Sequence, residues 1–339
     1  MKYKTIKTLF LIQLLSLSSC SNNSNNISIF IYSKTDTFIN SLKEEIIKEF
    51  KDSYYINNPF YAQEDQLYQN EQIAKELEKD KNKLFLVNLV DRLATSSVVE
   101  KANTIKKPVI FFNREPLVQD LKGQKLAYYV GSSAKDEGIM QAELAHEILG
   151  PSDSFKSSKY DKNNDGKLGV LCIKGSLWHQ DSELRSRYAL STLKNYGYDI
   201  NIVTTFNADW SKDISYEKFS SMYESIKNDI EIVISGNDDM ALGVVQYLKE
   251  QEEYDPNIPI IEQYYPIIGV DATSVGRQAV EDGDISGTII NDAITQAKAI
   301  RTLADVLLKK NGKSFDNFEY DLDDGNFVHC KSKPYTKSL

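Results

Sequence analysis

The stretch YDKNNDGKLGV, residues 160–170, sets Asp161, Asn163 and Asp165 at alternate positions. Three oxygen-bearing side chains spaced in this way can converge on one hard cation, and Gly166 permits the sharp turn that closes such a loop. A helix–loop–helix calcium site then needs a bidentate glutamate at the twelfth position. Here that position is Cys172, inside KLGVLCIKG, an apolar, β-branched run that reads as a buried strand. A cation held in this loop must take its remaining carboxylate from elsewhere in the fold.

A second set of polar and aromatic residues recurs just after short apolar runs: Asp36 and Phe38, Asn113, then His179, Asp181 and Arg185 in SLWHQDSELR. Further on come Trp210, Asn237 with Asp238, Asp271, and Asn291 with Asp292. Any one of them reads equally well as a helix cap, because Asp and Asn favour that position. Taken together they are harder to explain as capping. Carboxylates, carboxamides, Arg and His offer directional hydrogen bonds to hydroxyl groups, and Phe or Trp faces cover the apolar C–H patches of a pyranose. The chemistry points to a sugar.

The elements that must position these residues alternate along the chain. Candidate strands are 27–32, 83–90, 108–113, 127–132, 168–175, 200–206, 230–236, 266–271 and 286–290, with amphipathic helical patterns between them. This alternation predicts parallel sheets with helices on both faces, and a length of 339 residues predicts two such lobes. In doubly wound sheets ligands bind beyond the carboxyl ends of the strands, where the polar set falls.

A net charge of −9 argues against a nucleic-acid surface. No Gly-rich phosphate loop, HExxH or GxSxG is present. His146 reads as a helix residue and His329 as a tail residue, which leaves His179 as the informative histidine. The start, MKYKTIKTLFLIQLLSLSSC, has the basic, apolar and small-residue order of an export signal and is too short to span a bilayer. Leu17-Ser18-Ser19-Cys20 reads as a bacterial lipoprotein box with Cys20 the lipidated residue, and SNNSNN after it as a flexible tether. An ordinary secretory signal with a chance cysteine is the alternative. Export permits a disulfide between Cys172 and Cys330, although a cysteine on a buried strand is more often a small hydrophobe.

From about residue 27 to 330 the chain resembles the periplasmic galactose/glucose-binding proteins of bacterial ABC sugar transporters. The resemblance is carried by FFNREP, AYYVGS..KDEGI.Q, DKNNDGKLG, KG...H.D.E.R, IEIVISGNDDMA, IIGVDA and GTIINDA..QAKA. It implies the type I periplasmic binding protein fold: two Rossmann-like α/β lobes joined by a three-strand hinge, with hexose in the cleft. Under it, residues 1–19 are a signal peptide and 20–26 a lipidated tether. The N-terminal lobe is 27–131 plus 292–320, and the C-terminal lobe is 132–291 plus 321–334.

By the same resemblance Phe38 and Trp210 sandwich the sugar ring, and Asp36, Asn113, His179, Asp181, Arg185, Asn237, Asp271 and Asn291 make polar contacts. Asp36 meets the 4-hydroxyl, which implies that both D-glucose and D-galactose bind. A structural Ca2+ is implied on Asp161, Asn163, Asp165, the Lys167 carbonyl and both oxygens of Glu231, with Gly169 standing where the family has Gln. The segment EEYDPNIPIIEQYY, 252–265, is longer than the family's link and is expected to be a surface loop.

The implied function is capture without reaction by a monomer held to the membrane through its lipid alone. The captured sugar passes to an ABC permease and ATPase, with a methyl-accepting chemoreceptor as a further partner. A sugar-sensing lipoprotein without transport, and a pentose or glycoside as ligand, are the competing readings. An enzyme on the same scaffold fits worst, because no nucleophile with an adjacent base is visible.

Overall fold

Every residue of the first strand, NISIFI, is buried: Ile27, Ile29 and Ile31 enter one apolar cluster and Phe30 another. A strand buried on both faces belongs at the centre of a parallel sheet covered by helices. The computed structural model describes residues 26–177 and 179–337. Its strands in chain order are β1 (Asn26–Ile31), β2 (Tyr55–Ile56), β3 (Phe60–Tyr61), β4 (Asn82–Val87), β5 (Val109–Phe112), β6 (Ala127–Ser132) and β7 (Leu168–Lys174). They continue as β8 (Ile200–Asn207), β9 (Ile232–Ser235), β10 (Ile267–Asp271), β11 (Gly287–Ile290), β12 (Phe327–Cys330) and β13 (Lys333–Tyr335).

Two sheets result, ordered β12-β6-β5-β4-β1-β2, with β3 also against β1, and β13-β11-β10-β9-β7-β8. All pairings are parallel except β13 on β11. Helices Thr37–Phe50 and Ala293–Leu307 cover one face of the first sheet, and helices Gln66–Leu77 and Thr95–Ile105 the other. The second sheet is covered likewise, by Ala134–Leu149 and Gln180–Asn195 on one face and Lys212–Ile226 and Asp238–Lys249 on the other. The fold is the two-lobed type I periplasmic binding protein fold, and all nine strands expected from the sequence are present.

The chain crosses between lobes after β6, after β11, and between β12 and β13. The last crossing corrects the expected boundary. Residues 321–330 do not belong to the second lobe, because β12 pairs with β6 at the edge of the first sheet, Phe327 opposite Tyr129 and Val328 opposite Val130. Phe327 and Val328 fill the two cores of that lobe. The segment 252–265 also departs from expectation. Ile260, Tyr264 and Tyr265 are buried in the second lobe's core and only the first part of the segment is a surface turn, so its apolar end is structural.

Cys172 and Cys330 are free and buried, one in each lobe. No helix among the described residues is long and apolar enough to cross a membrane. Cys20 and the export segment lie outside the described residues.

Candidate functional site

Four of the strand-end residues do cap helices. Asp36 Oδ1 accepts from Ile39 N at 2.8 Å, His179 Nδ1 from Asp181 N at 3.1 Å, Asn237 Oδ1 from Met240 N at 2.9 Å and Asp292 Oδ1 from Ile294 N at 3.0 Å. For Asp36, His179 and Asn237 capping is not the whole role. Asp36, Phe38, Asn113, His179, Asp181, Arg185, Trp210, Asn237 and Asp271, with Tyr32, line one pocket between the lobes, of about 310 Å3 counted out to its mouth. Nine of the ten residues expected to contact a sugar are therefore brought together. Asn291 is set back, buried behind Asp271, where its Nδ2 donates to Asp271 Oδ1 at 3.3 Å and its Oδ1 accepts from Gln296 at 2.5 Å.

Three pocket residues sit on left-handed backbone: Asn113 at φ 62°, Trp210 at 62° and Asp271 at 104°. Such conformations cost of order 1–3 kcal/mol for residues with a side chain and concentrate at functional sites, where the surrounding structure holds them. For Trp210 the constraint is visible at Gly175. A Cβ there would fall 2.1 Å from the indole, so only glycine lets the ring lie down. The His179 ring meets the indole edge-on at 5.3 Å, and the Arg185 guanidinium carbon lies 5.7 Å from the ring centroid.

Arg185 organises the polar wall. Its Nε donates to Glu137 Oε2 at 2.7 Å and its Nη1 to Gly236 O at 2.9 Å, and its Nη2 lies 4.0 Å from Asp271 Oδ1. Burial disfavours the guanidinium charge, but Glu137, Asp271 and Asp181 outweigh it and move the pKa up, so Arg185 stays charged. Burial pushes Asp181 up to about 7 against the pull of Arg185, and raises Asp271 well above the usual carboxylate range. The His179 pKa is lowered by burial and then by Arg114, Arg185 and Arg92. Its neutral ring accepts at Nδ1, which puts the proton on Nε2. The pocket thus offers charged and neutral acceptors beside fixed donors.

Sequence reasoning missed Tyr32, whose hydroxyl donates to Asp36 Oδ2 at 2.5 Å and whose ring is stacked under Arg114 at 3.8 Å. It also missed Glu137, which besides holding Arg185 accepts from Ser332 Oγ at 3.3 Å, on the third crossing. Tyr32 ends an apolar strand and Glu137 opens a helix rich in charge, so neither position stands out in the sequence. Asp238, noted beside Asn237, is buried outside the pocket. It accepts from Thr288 Oγ1 at 2.6 Å and Thr273 N at 3.0 Å, and burial lifts it to about 7. On the far side of the cleft Thr37 Oγ1 donates to Asp239 Oδ2 at 2.6 Å, joining the two lobes.

The acidic loop lies at the opposite end of the second lobe's strands. Asp161 accepts from Gly166 N at 3.2 Å, Asn163 from Asp165 N at 3.0 Å and Asp165 from Lys167 N at 2.8 Å, so each side chain is folded inward by the loop's own backbone. Glu231 is fully buried and reaches the same loop, accepting from Lys162 N at 2.7 Å and Gly169 N at 2.8 Å. It has no cationic side chain within ion-pair distance among the described residues, and burial, with Asp161 nearby, raises its pKa. No three carboxylate, His or Cys side chains among the described residues are drawn together closely enough to hold a metal as they stand. The donor set of Asp161, Asn163, Asp165 and Glu231 nevertheless suits a hard cation. At Gly169 no side chain fits, since a Cβ would lie 1.8 Å from Asp229 O.

Residues 27–314 match the family described as "Periplasmic binding protein domain". The D-galactose/methyl-galactoside binding periplasmic protein MglB of Haemophilus influenzae is 32% identical over 311 residues, 90% of this chain and 87% of that protein. Among solved structures, an ABC transporter periplasmic solute binding protein from Actinobacillus succinogenes with bound D-allose superposes with a TM-score of 0.74 at 17% identity, covering 92% of this chain and 97% of that one. A Caulobacter myo-inositol binding protein bound to myo-inositol gives 0.73 at 16% identity, covering 93% and 94%.

Proposed function

The chain belongs to the periplasmic binding protein family, and from that premise we propose that it captures D-glucose or D-galactose between its lobes and delivers it to an ABC permease and its ATPase. One observation carries the reading: Phe38 from the first lobe and Trp210 from the second line the same pocket as seven hydrogen-bonding side chains. Aromatic faces on both sides of a pyranose leave its hydroxyls to Asp36, Asn113, His179, Asp181, Arg185, Asn237 and Asp271. Asp36, fixed at Oδ1 by the helix and at Oδ2 by Tyr32, is the acceptor that serves either epimer. The galactose relative supports that choice of ligand.

The work done is binding. A sugar that touches both lobes has more contacts in the closed state than in the open one, and that difference in affinity moves the lobe equilibrium. The closed shape is what the membrane partner reads. Membership of this family of exported solute-binding proteins fits the export signal, and Cys20 would carry the lipid. We further propose that Ca2+ occupies the loop on Asp161, Asn163, Asp165, the Lys167 carbonyl and Glu231, tying the loop to the sheet. Isothermal titration of sugar-free protein with glucose, galactose, ribose and xylose tests the reading. Saturable binding of the two hexoses at one site is expected, and silence for all four overturns it.

A further inference from the structure

His179 and Asp181 line the hexose pocket on one side and a second, larger opening on the other, of about 2200 Å3 out to its mouth. The two spaces adjoin at these two side chains, which form the wall between them. Where the Thr37–Asp239 hydrogen bond joins the lobes, the cleft is shut. The large opening beside the hexose pocket is on the His179 side.

The walls of this outer space carry two arginines that have no carboxylate partner among the described residues. On the first lobe, Arg92 and Arg114 line it, and the Nε of each is buried with no acceptor among the described residues. Neither arginine forms an ion pair among the described residues. Arg114 is only 8% exposed, so its guanidinium is a fixed fork of donors lying flat on the Tyr32 ring. Arg114 Nη1 donates to Val90 O, which fixes the guanidinium in the wall. On the facing lips, Leu93 and Leu177 are 64% and 60% exposed, an apolar pair on either side of the same opening. The other two cations of the lining, Lys174 and Arg187, are both paired with Glu183 and so add no free charge.

We infer that this outer space is a second subsite, which takes a glycosyl unit linked to the hexose in the inner pocket, so that the preferred ligand is a disaccharide or comparable hexoside. Guanidinium donors with nearby leucines suit a sugar ring, which has hydroxyls at its rim and C–H patches on its faces. A free anion is a poorer fit, because Asp91, Glu115, Asp181 and Glu183 line the space as well. The linkage runs from the hexose hydroxyl that faces His179 and Asp181, the only side chains named here that both spaces share.

The inference rests on the proposed hexose reading, and one titration series separates the two. The full chain, freed of sugar, is titrated with galactose, glucose, lactose, melibiose and cellobiose. The wild type, Arg92→Ala and the double variant Leu93→Ala/Leu177→Ala are compared. At least one disaccharide is expected to bind about tenfold more tightly than its matching monosaccharide, a gain of about 1.4 kcal/mol. Both variants should remove that gain and leave monosaccharide affinity unchanged. Monosaccharide binding with no disaccharide gain overturns the inference and leaves the hexose reading standing, as does a variant that weakens both ligands equally. Absence of binding by every sugar overturns both.

Discussion

Glu137 and Arg185 form an ion pair 2.7 Å long whose side chains are 0% and 5% exposed, in the wall of the cleft. Desolvation offsets much of what a buried pair gains, but removing one partner leaves an uncompensated charge at a cost of about 3–5 kcal/mol. Glu137→Ala is therefore expected to lower the melting temperature and to weaken hexose binding at least about tenfold, because Arg185 loses the group that aims it. Glu137→Gln, which keeps an acceptor, should recover much of the stability and less of the affinity. Calorimetric melting and titration of both variants check this, and wild-type affinity in Glu137→Ala would refute it.

Asp181→Ala leaves a sugar hydroxyl without its partner, a loss of roughly 1–3 kcal/mol for a neutral group and more for a charged one. Affinity should fall at least about tenfold with little change in the unliganded protein's stability, since burying an ionised Asp181 is itself unfavourable. Trp210→Ala removes a ring face and should weaken glucose and galactose alike. If Asp181→Ala binds as the wild type does, the site assignment is wrong.

Asp238 is buried, bonded to Thr288 and Thr273, and raised to about 7 from an ordinary value near 3.8. A carboxyl whose pKa rises on folding favours the folded state most below its unfolded pKa, and that contribution disappears as pH climbs through the folded one. Its share of stability is thus complete below about pH 4 and gone above about pH 7. Asp238→Asn should flatten the fall in melting temperature between those limits relative to wild type. Comparing the two proteins cancels the opposing contributions of His179 and His329. Parallel profiles would exclude Asp238 as the source.

Excess chelator is expected to lower the melting temperature and added Ca2+ to restore it, because Asp161, Asp165 and Glu231 repel one another without a cation. The missing side chain at Gly169 predicts modest affinity. Glu231→Gln should abolish the calcium response and leave sugar affinity intact. A melting temperature indifferent to chelator in the wild type would count against the site.

Tyr265 is 3% exposed, and its hydroxyl is buried without a partner among the described residues. Tyr265→Phe removes an unpaired polar atom and should stabilise by about 1 kcal/mol, whereas Tyr265→Ala opens a cavity and should cost about 3–5 kcal/mol. Denaturant melts of both variants check this, and a Tyr265→Ala midpoint equal to wild type would refute it.

The sheets were legible because strands such as β1 and β5 are dominated by β-branched and aromatic residues and the helices between them are amphipathic, signals that reside in a few adjacent residues. The pocket was legible because its members follow strands directly. Other features depend on remote contact. β12 is four residues long and its partner lies about 200 positions earlier, so nothing local marks FVHC as a strand of the first lobe. Asn291 has the residue type of a sugar contact, but packing turns it toward Asp271 and Gln296. Left-handed backbone is tolerated by Asn and Asp, so Asn113 and Asp271 carry a weak local signal, whereas at Trp210 it depends on the space left by Gly175 and has no signature in residue type. In 252–265 the Asp-Pro turn signal masked the apolar residues that anchor its end.

The antiparallel strand β13, only three residues long and holding Lys333 and Pro334, lies outside β11 and is itself the edge of the second sheet. Long apolar sheet edges invite pairing with other chains, whereas a short edge strand carrying Lys and Pro resists it, so β13 acts as a guard against self-association beside the third crossing. A clipped chain ending before Lys333 would expose the backbone of Gly287–Ile290, an apolar strand, and would be prone to polymerise through it even with both cores intact.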